Sequence, residues 1–547
     1  MEQFGMSRQL RLPGQQKDRF WRAVVLCALT AAVFFLPFYI MDGGFFHYAG
    51  DFNSQQISFY RYMNGFLKGA GYPDSTFAGA SRNTFSWATD LGSGAMNAYS
   101  FYLYGSPFFW FSLLFPQRWL PYLMVPLLVL KFGVAGGGAY LYLRRYVKNA
   151  NYAVLGACLY ALSGFAVYNV FFNHFVDVVA LFPYLLWSLD EALYNDRRSW
   201  FAFWVAVNLV NNYFFFIGQV VFLAIYFICK LSAGDFRLTA KKFGLLAFES
   251  VLGVAMGSIL LVPAVLSILQ NPRTIDLSSG WGFLTYSKVQ QYLAILVSWI
   301  MPPDSPYLTS IWSEGVIKWT SMSAYLPLCS LAGAAAYWQA KHGDSKKRIV
   351  GTCAVFALVP ILNSAFYALN SSYYARWYYM PVLILAAMTV NALEDHNTDL
   401  DTPARGLGWI MLATLVFAVV PVRDDTTETW SFGVLKNPGQ FFVVLGFGLL
   451  GLMLYRVLCS KWRQDSRFAQ RMTAAVVAFA CVFSMVHIGI GKFGQWYTDS
   501  DLVEQDNNAL LLKEDLPEGD YRVDTYKIHD NIGMWLDLSL IHISEPT

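Results

Sequence analysis

Long runs of apolar residues recur along the chain, separated by polar or aromatic segments. Inside a bilayer every backbone polar group must be satisfied within its own segment, so such runs predict membrane-spanning helices. About thirteen runs come near the roughly 20 residues that a helix needs to cross the hydrocarbon core. They lie near 23–41, 121–142, 152–171, 176–193, 200–214, 217–231, 244–267, 323–340, 349–368, 377–393, 407–422, 439–456 and 472–490. The pattern predicts an all-α, multi-pass membrane protein.

The stretch 200–231 is short for two crossings, and the charges around it support two. Arg197 and Arg198 precede it, and Lys230 and Arg237 mark its other end. Positive residues collect in cytoplasmic loops, so both ends of the stretch are expected on the cytoplasmic side. The polar turn of the resulting hairpin is then supplied by Asn208, Asn211 and Asn212.

Basic residues alternate with aromatic loops along the whole chain. The long loops 42–120, 268–322 and 423–438 are rich in aromatic residues and poor in Lys and Arg. The basic positions between the other helices are Arg144, Arg145, Lys148, Lys341, Lys346, Lys347, Arg348, Arg456, Lys461, Arg463, Arg467 and Arg471. This alternation predicts a cytoplasmic N-terminus, and everything after Gly491 outside the cell.

The same reading divides the chain into four parts. Residues 1–22 form a cytoplasmic N-terminal segment, and 23–490 form the transmembrane domain. Residues 491–538 turn polar and read as the start of a truncated extracytoplasmic domain. Residues 539–547 resemble translated sequencing-adapter read-through, and we give them no functional weight.

Composition agrees with a membrane protein. The 547 residues are 56% hydrophobic and 14% charged, whereas about a quarter of a soluble chain is charged. The first apolar run has the length of a spanning helix, so we interpret it as a retained helix and not as a signal peptide. The seven cysteines are scattered, without a CxxC pair, and suggest neither a zinc site nor a disulfide framework.

Asp51 is the first candidate for chemistry. The loop 42–120, about 80 residues long, is too long for a simple connection. Asp51 follows the first helix closely, so its carboxylate can lie at the bilayer surface, where partial burial raises its pKa and lets it accept a proton. The alternative is a solvated loop residue or the N-cap of a helix at 55–67. Asp42 and Asp90 are weaker candidates of the same type.

Two further candidates lie at predicted outer turns. His174 and Asp177 are three residues apart and share a face of a helix, where they can hold a metal or orient a substrate; a polar turn at a membrane surface needs similar residues. Arg376 stands among aromatic residues near the start of a helix. Its planar fork suits a phosphate, and an interfacial anchor is the alternative.

Lys131 lies well inside the second predicted helix. An ionisable residue at this depth is a functional hypothesis by default, because a charge in hydrocarbon is costly. Snorkelling of the ammonium group to the interface is the structural alternative.

Several motifs together resemble the bacterial YfhO family, and the resemblance covers most of the chain up to the thirteenth helix. It rests on their order along the chain more than on any one of them. The motifs are Gly50-Asp51, the run Trp87…Gly92…Gly94…Asn97, Ser106-Pro107, Lys131…Leu143-Arg144, Asn211–Phe215 and Tyr374–Trp377.

The resemblance implies a glycosyltransferase of the GT-C type in a bacterial plasma membrane. Its substrate would be a polyprenyl-phosphate-linked sugar, and its acceptor a lipoteichoic acid, another teichoic acid-like polymer or a glycolipid. Asp51 takes the place of the catalytic base in the first outer loop. The substrate-binding residues would be Arg376, His174, Asp177, Lys131, Asp90, Trp87 and Asn97. No nucleic acid is expected; a divalent cation that helps bind the phosphate is the one cofactor considered.

Two other classes of protein fit the pattern. A transporter or flippase of lipid-linked glycans would also need many helices and an intramembrane charge such as Lys131. Transporters, however, place paired charges and broken helices near the midplane, whereas the polar groups here collect toward one surface. A non-catalytic protein of envelope assembly is the third reading.

Overall fold

The computed structural model describes residues 18–68, 85–86, 88–89, 92–269, 283–312, 319–369, 373–423 and 430–494, with parts of the tail. The tail residues are 506, 508–509, 512, 522–523, 531, 533–536 and 539–540. Within these ranges the protein is almost entirely helical, and its strands form three two-stranded pairs.

The α-helices are numbered here in chain order. They are α1 Phe20–Met41, α2 Ser58–Leu67, α3 Ala95–Tyr99, α4 Pro107–Ser112, α5 Leu120–Leu143, α6 Ala150–Ala161, α7 Gly164–Tyr168, α8 His174–Tyr194, α9 Trp200–Asn211, α10 Tyr213–Ser232, α11 Ala240–Leu269, α12 Gln290–Ile300, α13 Ala332–Ala340, α14 Ser345–Leu358, α15 Pro360–Ser364, α16 Tyr379–Glu394, α17 Asp401–Ala413, α18 Pro438–Trp462, α19 Phe468–Phe493 and α20 Gly533–Leu536.

Shorter elements connect these helices. The π-helical segments are Phe52–Ile57 and Ser100–Tyr104, and the 3₁₀ segments are Gln117–Trp119, Asn169–Phe172, Ala365–Tyr367 and Thr414–Ala418. The strands are β1 Phe85–Ser86, β2 Ser93–Gly94, β3 Pro421–Arg423, β4 Trp430–Phe432, β5 Arg522–Val523 and β6 Ser539–Leu540. β1 pairs with β2, and β3 with β4, in antiparallel fashion; β5 and β6 are parallel.

Seven helical stretches in the described part of the chain are long and apolar enough to span a membrane. An eighth follows if the pair Ser345–Leu358 and Pro360–Tyr367, bent by 106°, is one span. The helices Trp200–Asn211 and Tyr379–Glu394 are apolar but shorter. The protein is therefore a multi-pass membrane protein, while the full count of thirteen crossings stays a prediction.

Three predicted spans differ from the structure in their helical extent. The run 323–340 is helical only over Ala332–Ala340, because Pro327 cannot donate a backbone hydrogen bond and Leu328 adopts a left-handed φ of 63°. The run 349–368 bends sharply at Pro360. The run 407–422 loses its α-helix after Ala413 and passes through a 3₁₀ segment into β3.

Asn212 forms the predicted turn between the fifth and sixth spans. Its side-chain oxygen accepts hydrogen bonds from the backbone N–H groups of Phe214 and Phe215 at 3.1 and 3.2 Å. Its amide nitrogen donates to the Phe101 carbonyl at 2.8 Å. The same residue therefore starts α10 and ties the turn to the first loop.

Small residues allow α5 to pack closely at the centre of the bundle. α5 contacts α1, α6 and α8. A Cβ added to Gly136 would lie 2.6 Å from the Cys27 sulfur on α1, and one added to Gly138 would lie 2.6 Å from the Tyr184 ring on α8. Close approach through small residues is the usual way in which membrane helices gain packing energy.

The basic loops meet at one end of the bundle, named here the basic end. Arg145 pairs with Glu191 there, and Lys230 with Asp190 at 3.1 Å. Arg348 donates to the Ser232 carbonyl at 2.9 Å. These contacts join the loops that the charge pattern assigns to a single side.

The opposite end carries the aromatic loops and is named here the loop end. Gly50 touches the Phe171 ring, and Lys492, at the end of α19, pairs with Asp42, at the end of α1, at 2.8 Å. The loop 42–120 contains α2 and both π-helical segments, and the loop 268–322 contains α12. The described parts of both loops thus contain helices of their own.

Candidate active site at the loop end

A buried ion pair forms the floor of the candidate site. The Lys131 Nζ, on α5, lies 2.7 Å from an oxygen of Asp177, in the first turn of α8. It also donates to the Asn173 side-chain oxygen at 2.7 Å and to the Asn173 carbonyl at 3.2 Å. Asn173 thus accepts two hydrogen bonds from the ammonium group, and the Asp177 carboxylate balances its charge. Lys131 does not snorkel; its charge is neutralised in place.

Ser106 joins this pair to the first loop. Its hydroxyl donates to the second oxygen of Asp177 and accepts a hydrogen bond from the Phe109 backbone N–H at 3.2 Å, which caps α4. Pro107 follows at the first helical position, where its missing N–H costs nothing. The Ser106-Pro107 motif therefore fixes the start of α4 against the ion pair.

His174 lies next to the pair, in an aromatic box. Its ring is 4% exposed and packs at 5.1 Å from Phe101, 4.9 Å from Tyr102 and 4.5 Å from Phe175, measured between ring centroids. Neither imidazole nitrogen has a hydrogen-bond partner within the described part of the chain. Buried polar atoms are normally bonded, so this ring is available to a ligand.

Asp51 enters the site through a turn that only glycine fits well. Gly50 has a φ of +46°, and a Cβ there would lie 2.7 Å from the Phe171 ring. The π-helical segment Phe52–Ile57 begins directly after Asp51. π-Helical segments inside helices are frequent at functional sites.

The Asp51 carboxylate forms no capping hydrogen bond with the helix that follows. It accepts one weak hydrogen bond, from the Gln55 side chain at 3.3 Å. Partial burial raises the pKa of Asp51 above its usual range, and the positive charge of Arg376 opposes that shift. The N-cap interpretation therefore finds no support, and Asp51 and Arg376 lie within electrostatic range of each other.

Arg376 is held by the backbone and aromatic residues around it. The Ala375 N–H donates to the Thr320 carbonyl at 2.7 Å. Trp377 donates to the Asn363 side chain at 2.8 Å and stacks on Phe366 with a centroid separation of 4.0 Å. The segment that presents the guanidinium is thus fixed before any ligand binds.

The Arg376 guanidinium lies over aromatic faces and has no carboxylate partner among the described ion pairs. It stands 3.9 Å from the Tyr374 centroid, 5.1 Å from that of Phe175 and 5.7 Å from that of Phe172. Its Nε is buried without a hydrogen-bond partner in the described chain. A pre-positioned fork with unused donors suits an oxyanion such as a phosphate.

The structure thus brings together Asp51, Lys131, His174, Asp177 and Arg376 from four separate regions of the sequence. Asn97 is exposed on α3. Trp87 and Asp90 lie outside the described residues. Asp42 binds Lys492 and the His47 backbone N–H, and is therefore committed to a structural contact.

The aromatic residues of the second large loop divide between core and surface. Tyr286 and Trp312 are buried; Tyr286 packs on Tyr373 and Trp312 on Phe417. Trp319 is 47% exposed, and Trp281 lies outside the described residues. In the parts of the chain that the structure describes, no three His, Cys, Asp or Glu side chains gather to hold a metal ion.

Sequence reasoning missed the roles of Asn173 and of the aromatic walls. Asn173 adjoins His174 in the sequence, but its two hydrogen bonds from Lys131 depend on how α5 packs against α8. In the sequence, Phe172, Phe175 and Tyr374 resemble ordinary aromatic residues of a membrane protein. Only their tertiary contacts show that they surround the Arg376 guanidinium.

The comparisons with known proteins first define the class. Among solved structures, the crystal structure of ArnT from Cupriavidus metallidurans in the apo state matches with a TM-score of 0.52 at 13% identity. The match covers 95% of this chain and 85% of that one. No curated protein sequence gives a significant match. The chain has the GT-C type fold of a multi-pass membrane protein.

The family follows from the sequence profile. The profile of the family described as bacterial membrane protein YfhO matches residues 23–509. The protein therefore belongs to the YfhO family, as the motifs along its sequence predict.

Proposed function

We propose that this protein is a membrane glycosyltransferase that moves a sugar from a polyprenyl-phosphate donor to a cell-envelope acceptor. The observation that carries the proposal is the arrangement of Asp51 and Arg376. Asp51 is a partly buried carboxylate without a capping bond, and the positive charge of Arg376, which has no carboxylate partner in the described part of the chain, acts on it. A base and an anion receptor are the two groups that glycosyl transfer from a phosphate needs.

In the proposed reaction Asp51 takes the proton of an acceptor hydroxyl. The acceptor oxygen attacks the anomeric carbon as the bond from that carbon to the phosphate oxygen breaks. Polyprenyl phosphate leaves with the bonding electron pair, and Arg376 balances its charge. Attack from the face opposite the leaving group inverts the anomeric centre.

The remaining residues would position the donor. His174, with two free ring nitrogens, is suited to a sugar hydroxyl, and the Lys131–Asp177 pair holds the turn from which His174 projects. The Lys131 ammonium pairs with Asp177 and donates two hydrogen bonds to Asn173, which favours a positioning role for it over direct contact with the phosphate. The acceptor is proposed to be a teichoic acid-like polymer or a glycolipid on the outer face.

One observation favours a second candidate, a flippase of lipid-linked glycans. The Lys131–Asp177 pair is fully buried, and paired charges inside the membrane are typical of transporters. Movement of a labelled lipid-linked glycan across vesicles without transfer of its sugar would support this candidate over the transferase. A protein of envelope assembly would bind partners and do neither.

Asp51→Asn tests the proposed base. Transfer of labelled sugar from a polyprenyl-phosphate donor, measured in membranes, should fall by about 100-fold or more, because general bases contribute roughly 10²–10⁴ in rate. Since burial raises the pKa of Asp51, its ionised form is unfavourable in the folded protein, and the variant should be at least as heat-stable as the parent. Asp196→Asn, at a surface residue of the basic end, is the control. Transfer at the parental rate would refute the assignment.

A further inference from the structure

The tail reaches back to the first outer loop and packs against it. The tail anchor, defined as Asn531 with α20 (Gly533–Leu536), contains the side chains of Met534, Trp535 and Leu536, which are 2%, 1% and 6% exposed. Such deep burial of a tryptophan contributes substantial packing energy. The anchor is therefore part of the folded loop end.

Its hydrogen bonds are directed at the helical segment that begins after Asp51. The Asn531 side-chain amide donates to the Ser54 carbonyl at 2.9 Å, and the Trp535 indole N–H donates to the Ser58 hydroxyl at 2.9 Å. Ser54 and Ser58 are four residues apart, so they lie on one face of the segment. The anchor thus binds both the π-helical segment and the start of α2.

Arg61 adds a charged contact one turn further along. Its guanidinium lies 4.7 Å from the Trp535 centroid and donates to the Met534 carbonyl at 3.4 Å. The Arg61 side chain is buried in the process. Phe45, on the other side of Asp51 in the sequence, stacks on Trp535 with a centroid separation of 6.0 Å. Trp535 therefore bridges the two stretches that flank Asp51.

We infer that Trp535 is a positioning residue, which holds the Asp51 segment in register with Arg376; this inference rests on the proposed function. The opposite side of the segment is bounded by the Gly50–Phe171 contact. Among the described residues, the Asp51 side chain has one weak hydrogen bond, from Gln55, so its orientation depends on the segment that carries it. A misplacement of about 1 Å at a reacting group can cost about 100-fold in rate.

Trp535→Ala in the full chain tests the inference by two independent measurements. Hydrogen–deuterium exchange of the amides of residues 52–67 should speed up at least tenfold, because the anchor no longer covers them. In the transfer assay kcat should fall about tenfold to 100-fold, with little change in the KM for the donor, since Arg376 is untouched. Trp535→Phe keeps an aromatic ring against Arg61 and Phe45. It should restore most of the protection from exchange at residues 52–67 and most of kcat.

Leu512→Ala, at a residue of the same tail that is 51% exposed, is the matched control and should change neither measurement. If Trp535→Ala does not fold, Asn531→Gly removes the hydrogen bond to Ser54 and still accepts the left-handed φ of 69° at this position; it should show the same two effects at smaller size. Unchanged exchange at 52–67 in a folded variant would overturn the inference. If the parent protein transfers no sugar, the proposed function fails, and the exchange experiment still decides whether the anchor holds the segment.

Discussion

At the residue scale, the candidate site depends on charges that differ in how they are neutralised. Lys131 and Asp177 neutralise each other completely, whereas Asp51 and Arg376 act on each other from a distance. A buried pair whose charges contact each other directly is suited to stabilising the structure. Two charges that do not contact each other both remain able to bind a ligand. This difference is what separates the floor of the site from its proposed reacting groups.

Arg376→Gln tests how these two open charges interact. We expect donor affinity to fall by about tenfold or more, because a charge-assisted hydrogen bond contributes roughly 1.5–3 kcal/mol. Asp51 must be ionised to accept a proton, so kcat/KM falls as the pH drops through its raised pKa. Arg376 lowers the pKa of Asp51. Removal of the arginine should therefore move the acidic side of the pH profile of kcat/KM to higher pH. A pH profile that does not shift on its acidic side would contradict the assignment of Asp51 as the base under the influence of Arg376. Arg118→Gln, an exposed arginine of the loop end, is the control.

Breaking the Lys131–Asp177 pair tests the floor of the site. Lys131→Met leaves a buried carboxylate without its partner, which should cost about 3–5 kcal/mol of stability. Lys131→Met combined with Asp177→Asn removes both charges and should recover much of the loss. Thermal unfolding of the purified variants measures both effects. A single variant as stable as the parent would show that the pair contributes nothing.

At the scale of elements, two turns set the site: the one at Gly50 and the one at residues 169–173. The first brings Asp51 over the second, and the second ends where His174 begins α8. The sequence predicts a polar turn at 172–177, and in the structure α8 already begins at His174. The predicted helix at 55–67 is found, with its first residues in the π-helical segment Phe52–Ile57. The π-helical start of that helix could not be predicted, because it depends on packing against neighbouring elements and not on local propensity.

Gly50→Ala should disturb this arrangement more than its size suggests. The added Cβ would lie 2.7 Å from the Phe171 ring at a φ of +46°, and a left-handed conformation costs a non-glycine residue about 1–2 kcal/mol. We expect sugar transfer to fall while the protein still folds. Gly43→Ala, at a φ of +59° with nothing within 4 Å of the added Cβ, is the matched control. Equal transfer by both variants would argue against the role of the Phe171 contact.

At the scale of the whole molecule, two ends of opposite character predict how the protein is oriented in the membrane. The basic loops meet at one end and the candidate site lies at the other. The positive-inside rule predicts that the basic end faces the cytoplasm, so the site would face outward, where a lipid-linked donor and an envelope polymer could both reach it.

Labelling of single cysteines tests this orientation. Asn97→Cys, at the loop end, should react with a membrane-impermeant maleimide in intact cells, because its side chain is exposed. Ser466→Cys, between α18 and α19, is also exposed but should react only after the cells are permeabilised. The parent chain measures the background from native cysteines. The reverse pattern would place the site in the cytoplasm and exclude an outward-facing transferase.

The sequence by itself determined the membrane character and most of the long apolar helices, because each depends on local hydropathy along the chain. The sidedness that its charges predict stays a prediction. The sequence also picked out Asp51, His174, Asp177, Arg376 and Lys131 as candidates, since polar residues are conspicuous among apolar ones. Only the tertiary structure decided which of these charges pair and which stay open. It also revealed the Trp535 anchor and the break at Pro327. These outcomes depend on contacts between residues far apart in sequence, which no local pattern encodes.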